Sequence, residues 1–342
     1  MIVPLDPENP SSSANAEPET GGGTIAYFID HEPKLGDFRD AVVAGLSGEP
    51  KTIPPKFFYD EWGSALFHQI CETEEYYLTR TEVELLRDKG PEIAALAGEN
   101  TTVVEYGCGS SLKIRTLLDS LIEPAEYVAI DISREHLCRV AEDIATDYAD
   151  IRVGAICADF TKDLELPAEA GINGGRKIGF FPGSTIGNQT PEEASHFLAR
   201  VRRQVDDDGA LVIGVDLKKD PALLDAAYND GDGVTAQFNL NVLGRMNREL
   251  DAVIDLDAFE HLAFYNAPEG RVEMHLKSRK AQSAVIAGRE FSFAEGETIH
   301  TENSYKYHIG EFTEMAGEAG FSSTAAWTDE NALFSIHYLT AG

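Results

Sequence analysis

Between Thr101 and Leu217 the chain alternates short apolar, β-branched runs with amphipathic stretches, joined by brief connections. TTVVEYGCGSSLKIRTLLDSL reads as strand, glycine turn and helix. EYVAIDIS with REHLCRVAEDIATDY repeats the pair, and IRVGAICADF, KIGFFPGSTIGN, PEEASHFLARVRRQV and GALVIGVDL extend it. Parallel strands cannot be closed by a hairpin and need a crossover, usually a helix, so this alternation specifies βαβ units. Strands this apolar lie in a sheet covered by helices on both faces. The predicted fold class is therefore α/β, with a doubly wound, mostly parallel sheet.

The flanks read differently. Residues 1–23 are rich in Pro, Ser, Glu and Gly and too poor in apolar groups to order, so a disordered tail is expected. FRDAVVAGL, SALFHQICETEEYY and TRTEVELLRDKGPEIAALAG carry apolar residues at helical spacing. From Asp220, PALLDAAYNDGDGVTAQFNLNVLGRMNREL is helical with a glycine interruption. EGRVEMHLKSRKAQSAVIAGREFSFAEGETIHTENSYKY then alternates with period two, as antiparallel strands do. A helix, EFTEMAGEAG, and a strand, LFSIHYLT, close the chain. The length of 342 residues suits two domains. One is the sheet domain over 62–218 and 307–342. The other is an α+β unit over 24–61 and 219–306, inserted before the last sheet elements.

Charge removes several classes of partner. With 28 Lys+Arg against 59 Asp+Glu the formal charge is −31. Such a chain is repelled by nucleic-acid phosphates and by anionic lipid, so neither nucleic acid nor a membrane surface is an expected partner. No apolar run approaches the roughly 18 residues of a membrane span, and the N-terminus lacks the basic start and apolar core of a secretory signal. Four cysteines without CxxC pairing fit small core residues in a reducing compartment. A cytoplasmic monomer is expected.

Val103-Val104-Glu105-Tyr106-Gly107-Cys108-Gly109 feeds a strand into a glycine turn, the place where open α/β sheets bind ligands. A dinucleotide site calls for GxGxxG, but GCGSSLK lacks the third glycine, which weakens a reading as an NAD site. Glu105, two residues before Gly107, fits instead the acidic-x-G-x-G turn of S-adenosylmethionine (SAM) sites, where no pyrophosphate must approach a helix. Asp131 ends YVAIDIS and suits a pair of ribose hydroxyls. Asp159 and Phe160 end ICADF and suit an adenine amino group and ring. Singly, a GxG is also a plain turn and a strand-end acid also a helix cap. In order at successive strand ends, they point to a nucleoside cofactor, SAM before NAD.

Longer motifs follow one another: KFFYDEWGSALFHQICETEEYYLTRTE, VEYGCGSSLKIRTLL, FFPGSTIGNQTPEEA, GVDLKKD, AAYNDGDGVTAQFNLNVLGRMNREL, RVEMHLKS and IHTENSYKY. From about Lys56 to the C-terminus the chain resembles the histidine-specific, SAM-dependent N-α-methyltransferases of ergothioneine biosynthesis. Those enzymes methylate the α-amine of L-histidine three times, giving the betaine hercynine. The resemblance implies a Rossmann-like SAM methyltransferase domain with an inserted α+β substrate-binding domain. It implies SAM held by Gly107, Lys113, Asp131, Asp159 and Phe160. It also implies an amino-acid site of Tyr59, Tyr76, Asn188, Tyr228, Met274, Glu302 and Ser304, with Tyr59, Tyr76 and Asn188 at the reacting amine.

These residue types suit that task. Asn188 can both donate and accept, and so orient an amine. Tyr59 and Tyr228 can donate to a carboxylate, Glu302 can accept an imidazole N–H, Ser304 can serve the other ring nitrogen, and Met274 offers a soft wall. Plainer readings stand beside these. Asn188 can be a turn residue or cap before Thr190-Pro191, Tyr76 and Tyr228 packing, Met274 core, and Glu302 with Ser304 a solvated strand face. The nine histidines, among them His275, His300 and His308, show no HxxxH spacing, so no metal is expected. GSTIG does not match the G-x-S-x-G of a serine nucleophile. The other functional readings are a methyltransferase for another aromatic amino acid or amine, an NAD(P)-dependent oxidoreductase, and a non-catalytic module that keeps the SAM-type fold.

Overall fold

The computed structural model describes residues 24–31, 38–172 and 175–342, so the expected tail over 1–23 lies outside the described residues. In chain order, β1 (Tyr27–Asp30), α1 (Phe38–Leu46), β2 (Lys51–Thr52), α2 (Glu61–Glu72) and α3 (Leu78–Ala97) come first. The βαβ region follows as β3 (Thr102–Tyr106), α4 (Ser111–Leu118), β4 (Glu126–Asp131), α5 (Arg134–Asp147) and β5 (Arg152–Cys157). It continues through β6 (Lys177–Phe181), α6 (Pro191–Gln204) and β7 (Ala210–Asp216). Then come α7 (Pro221–Ala227), α8 (Val234–Glu249), β8 (Phe259–Asn266), β9 (Arg271–Ser278), β10 (Gln282–Ile286), β11 (Arg289–Phe293) and β12 (Thr298–Tyr305). The chain ends in α9 (Ile309–Glu318), β13 (Phe321–Thr328) and β14 (Phe334–Ala341).

Eight strands form the large sheet in the order β1-β5-β4-β3-β6-β7-β14-β13. The first six run parallel, β14 runs against them, and β13, antiparallel to β14, returns to their direction. All five residues of β3 and all seven of β7 are buried. Period two sends their side chains alternately into two cores: Val103 packs with Ile93, Leu117 and Leu137, and Val104 with Phe181, Phe197 and Val201. Strand order reverses at β3, which opens a crevice beyond the strands' carboxyl ends. The expected α/β doubly wound fold is the one found.

A second, four-stranded sheet, β2-β12-β9-β8, shares a third core with α1, α2 and α8. Within it β12 carries an irregularity: His300 pairs with His275, yet the next paired residue, Glu302, faces Met274. The extra residue keeps His300 on one face and places Glu302 and Ser304 on the other, with Met274 and Val272. Two expected boundaries change. Residues 27–30, expected with the inserted unit, pair with β5 in the large sheet. Residues of α2, expected with the large sheet, bury Leu66 and Ile70 in the third core with Phe238 and Val242. A four-residue edge strand has no periodicity to read, and an amphipathic helix does not name its partner.

Candidate active site

At the C-terminal end of β3 the chain turns through Gly107, whose φ of +83° lies in the left-handed region that favours glycine. A Cβ there would stand 3.3 Å from the Phe160 ring, so Phe160 closes directly over the turn. Asp131, at the end of β4, accepts from Cys108 N at 3.1 Å and from Ser133 N at 2.8 Å. Burial raises its carboxyl above the usual range, and those backbone donors work against the rise. His136 on α5 bonds the Cys108 and Gly109 carbonyls, each at 2.9 Å, and so pins the turn from behind. Asp159 receives Thr161 N at 3.1 Å and its hydroxyl at 2.5 Å. Glu105 points elsewhere: it is 2% exposed, accepts from the Tyr127 hydroxyl at 2.6 Å, and is pushed up to about 8 by burial. It supports the turn from inside rather than facing a ligand.

Lys113, expected at the cofactor, is held 2.6 Å from Glu82 on α3. Glu82 is 1% exposed and also takes Gly183 N, at 2.8 and 2.9 Å to its two oxygens. This carboxylate ties α3, α4 and the segment after β6 together at the bottom of the crevice. Sequence reasoning missed it, although it is the acid of the TRTE motif.

The expected amino-acid residues gather beside this crevice. Tyr76 and Tyr228 meet edge to face at 6.4 Å, and Tyr59 meets Phe67 and Phe238 the same way, each at 5.6 Å. Tyr59 keeps 43% of its surface accessible, yet its phenol is raised well above its usual value, first by desolvation and then by the Glu302 charge. Tyr76 is raised likewise, by burial and then by Tyr228. Met274 is 2% exposed and faces Glu302 across the β12–β9 pair. Burial pushes the Glu302 carboxyl up to about 7, against the pull of Lys306. Asn188 closes the short helix Thr185–Asn188 and does not cap α6, because Thr190 does so in a capping box with Glu193. Gly187 sets Asn188 against β12, since a Cβ there would lie 2.7 Å from the Tyr305 carbonyl oxygen. Tyr59, Tyr76, Asn188 and Glu302 each present a side-chain polar end that no described residue hydrogen-bonds.

Behind these lies a charged hub that sequence reasoning did not name. Lys306, 1% exposed, stands 2.7 Å from Asp216 Oδ2 and donates to Ser304 Oγ at 2.9 Å and to the Tyr228 hydroxyl at 3.2 Å. Asp216 is fully buried and also holds Lys219 at 2.6 Å and the Tyr77 hydroxyl at 2.9 Å. Burial lowers Lys219 to about 8. The Tyr228 hydroxyl donates to Ser304 at 2.8 Å, so its proton points at a neighbour rather than at an open space. A signal was present: Glu302, Ser304 and Lys306 follow one another at period two, which places a lysine on a buried strand face.

On the opposite face of β12 and β9, Glu273, His275 and His300 come together. The imidazoles stack at 4.5 Å, and Glu273 is already bonded by Arg271, Asn266 and His275. Spacing along the sequence could not show this cross-strand group, which lies away from the cleft.

Residues 38–341 match the family described as histidine-specific methyltransferase, SAM-dependent. The chain is 40% identical over 319 residues to the histidine N-α-methyltransferase of Mycolicibacterium smegmatis, covering 92% of this chain and 98% of that protein. The histidine N-α-methyltransferase of Mycobacterium tuberculosis is also 40% identical, with the same coverage of both chains. A 4-dimethylallyltryptophan N-methyltransferase of Trichophyton verrucosum is 27% identical, over 87% of this chain and 92% of that one. A match that spans both the glycine turn of β3 and the β12 hub places the chain in the histidine-specific, SAM-dependent methyltransferase family.

Proposed function

We propose that the chain transfers methyl groups from SAM to the α-amine of L-histidine, three times in succession, giving hercynine for ergothioneine biosynthesis. The observation that carries this reading is a set of four side chains, Tyr59, Tyr76, Asn188 and Glu302, whose polar ends no described residue hydrogen-bonds and which stand among aromatic rings on the substrate side of the glycine turn. Polar side chains that gather without bonding one another keep their donors and acceptors for a polar ligand, so such a set marks where one can sit.

The residues of the turn fit SAM. Gly107 leaves a cradle under Phe160, and each Asp131 oxygen keeps a lone pair for a ribose hydroxyl after its one backbone bond. Gly107, Lys113, Asp131, Asp159 and Phe160 would hold it, and when bound it supplies an electrophilic methyl on a sulfonium. The chain's own part is placement. Asn188 and Tyr76 orient the amine, Tyr59 donates to the carboxylate, and Glu302 with Ser304 reads the imidazole against Met274. Tyr228 completes the site by way of Ser304. Fixing the reacting atoms in line is worth several kcal/mol of the barrier. The amine must shed a proton before each transfer, and water beside Tyr59 and Tyr76 takes it.

A second reading, another aromatic amino acid, draws on the similarity to the dimethylallyltryptophan enzyme. The enclosed carboxylate of Glu302 speaks against it, because an indole or phenyl ring cannot satisfy both Glu302 and Ser304. The NAD(P) and non-catalytic readings give way to membership of a SAM-dependent methyltransferase family. The working unit is proposed to be a metal-independent, cytoplasmic monomer, without nucleic-acid or membrane partners. Among the described residues no helix is long and apolar enough to cross a membrane. The deciding experiment incubates the protein with SAM and L-histidine and follows mono-, di- and trimethylhistidine by mass spectrometry. Methylation of another amino acid with histidine untouched overturns the substrate reading.

A further inference from the structure

The protons around Ser304 can be counted. The Lys306 ammonium has three, and three acceptors surround it: Asp216 Oδ2, Ser304 Oγ and the Tyr228 hydroxyl oxygen, at 2.7, 2.9 and 3.2 Å. Tyr228 gives its own proton to Ser304 Oγ at 2.8 Å. Ser304 therefore accepts twice from within the protein, and its proton has no acceptor among these neighbours. One hydroxyl proton is left over, and it belongs to Ser304. Glu302 lies on the same strand face, its carboxyl without a donor from the chain.

We propose that Lys306 is the positioning residue for side-chain recognition: it fills the lone pair of Ser304 Oγ that Tyr228 leaves, which makes Ser304 a donor only, so that Ser304 and Glu302 together accept only a neutral imidazole in one tautomer. The proposal rests on histidine as the substrate. Without Lys306 one lone pair of Ser304 Oγ is open, so the hydroxyl can accept from a ligand N–H as well as donate to a ring nitrogen. With Lys306 in place, the ring must offer one lone pair to Ser304 and one N–H to Glu302. An imidazolium, with two N–H groups, sets a proton against a proton. A phenyl ring leaves both protein groups unpaired.

The charged and titratable groups facing this pair are few. Lys306 directly follows β12, Asp216 ends β7, and Lys219 lies three residues beyond Asp216. Tyr76 and Tyr77 precede α3, Tyr59 and Tyr228 flank the cleft, and Cys71 lies on α2. Asp216 keeps Lys219 at 2.6 Å when Lys306 is replaced, so Lys306→Met does not strand a buried carboxylate.

The test uses the full chain. Calorimetric titration with α-N,N,N-trimethylhistidine, whose quaternary nitrogen cannot titrate, is run at pH 6 in two buffers of different ionisation enthalpy. Net proton release is expected, because both the ring and Glu302 must bind deprotonated; no exchange, or uptake, overturns the proposal. In kinetics, Lys306→Met is expected to raise KM for L-histidine about tenfold at pH 8, with kcat and SAM affinity little changed. It is also expected to flatten the rise in KM between pH 8 and pH 6. In a Ser304→Ala background the same substitution is expected to cost less than about threefold, because Lys306 acts through Ser304. A full tenfold loss there overturns the proposal. If Lys306→Met does not bind SAM, Lys306→Gln, which keeps an N–H donor, is read in its place, and an equal rise in KM with Ser304 present and with Ser304→Ala overturns the proposal. A protein that neither binds nor methylates histidine overturns the substrate reading as well, an outcome distinct from binding with the wrong proton count.

Discussion

In its proposed role Glu302 serves recognition at the expense of stability. Its carboxyl is pushed up from near 4.5 to about 7 by burial, so the folded chain holds this proton more tightly than the unfolded chain does. The stability linked to it is therefore complete below about pH 4.5 and is lost as pH rises through about 7. Glu302→Gln is expected to add of the order of 2 kcal/mol of stability at pH 8, read as a higher melting temperature, and to leave it unchanged near pH 4.5. The same variant should lose histidine affinity, and equal melting curves at pH 8 would count against the buried carboxylate. Asp216 and Lys306 had the same kind of legibility as Glu302: one is a strand-end acid like Asp131, the other the next residue on Glu302's face. What the sequence could not tell was that they meet, because the contact joins positions 90 residues apart, at the ends of strands from different sheets.

Among the elements, strands covered on both faces were the readable ones. β3, β6 and β7 are buried nearly throughout, so each is a continuous apolar run bounded by turns. β1 has four residues and β2 two, too short for any period, and β13 shows solvent the small residues Ser322, Ser323 and Thr324. The short helix at Thr185–Asn188 is set by a close approach rather than by propensity, and that gives a prediction. Gly187→Ala drives a methyl toward the Tyr305 backbone at 2.7 Å, so it is expected to cost about 1–3 kcal/mol and to lower kcat by displacing Asn188. Thr190→Ala, which removes the adjacent cap of α6, is expected to cost about 1 kcal/mol with kcat unchanged. Denaturant midpoints and kcat measured on both variants separate the two; a Gly187→Ala enzyme with full kcat would detach this helix from the amine site.

At the scale of the whole chain, an excess of 31 negative charges repels itself, and salt should relieve that repulsion. Raising ionic strength from about 0.01 to 0.15 M shortens the screening length from about 30 to 8 Å, so the melting temperature is expected to climb. A flat or falling curve would mean that local ion pairs, which salt weakens, outweigh the net charge. Ligand response is a separate handle. SAM at about a hundred times its Kd should add about 2.7 kcal/mol to the folded state, and NADH nothing. The extra residue in β12, finally, sets which inherited changes the pocket can survive. Loss of Thr301 would straighten the strand and still leave Glu302 and Ser304 side by side on the cleft face. Loss of Asn303 would make those two neighbours in sequence and throw them to opposite faces in any register. If 302 and 304 read the ring as proposed, descendants of this gene can retune it by changing letters there, whereas shortening the strand by one residue either keeps the pair together or divides it.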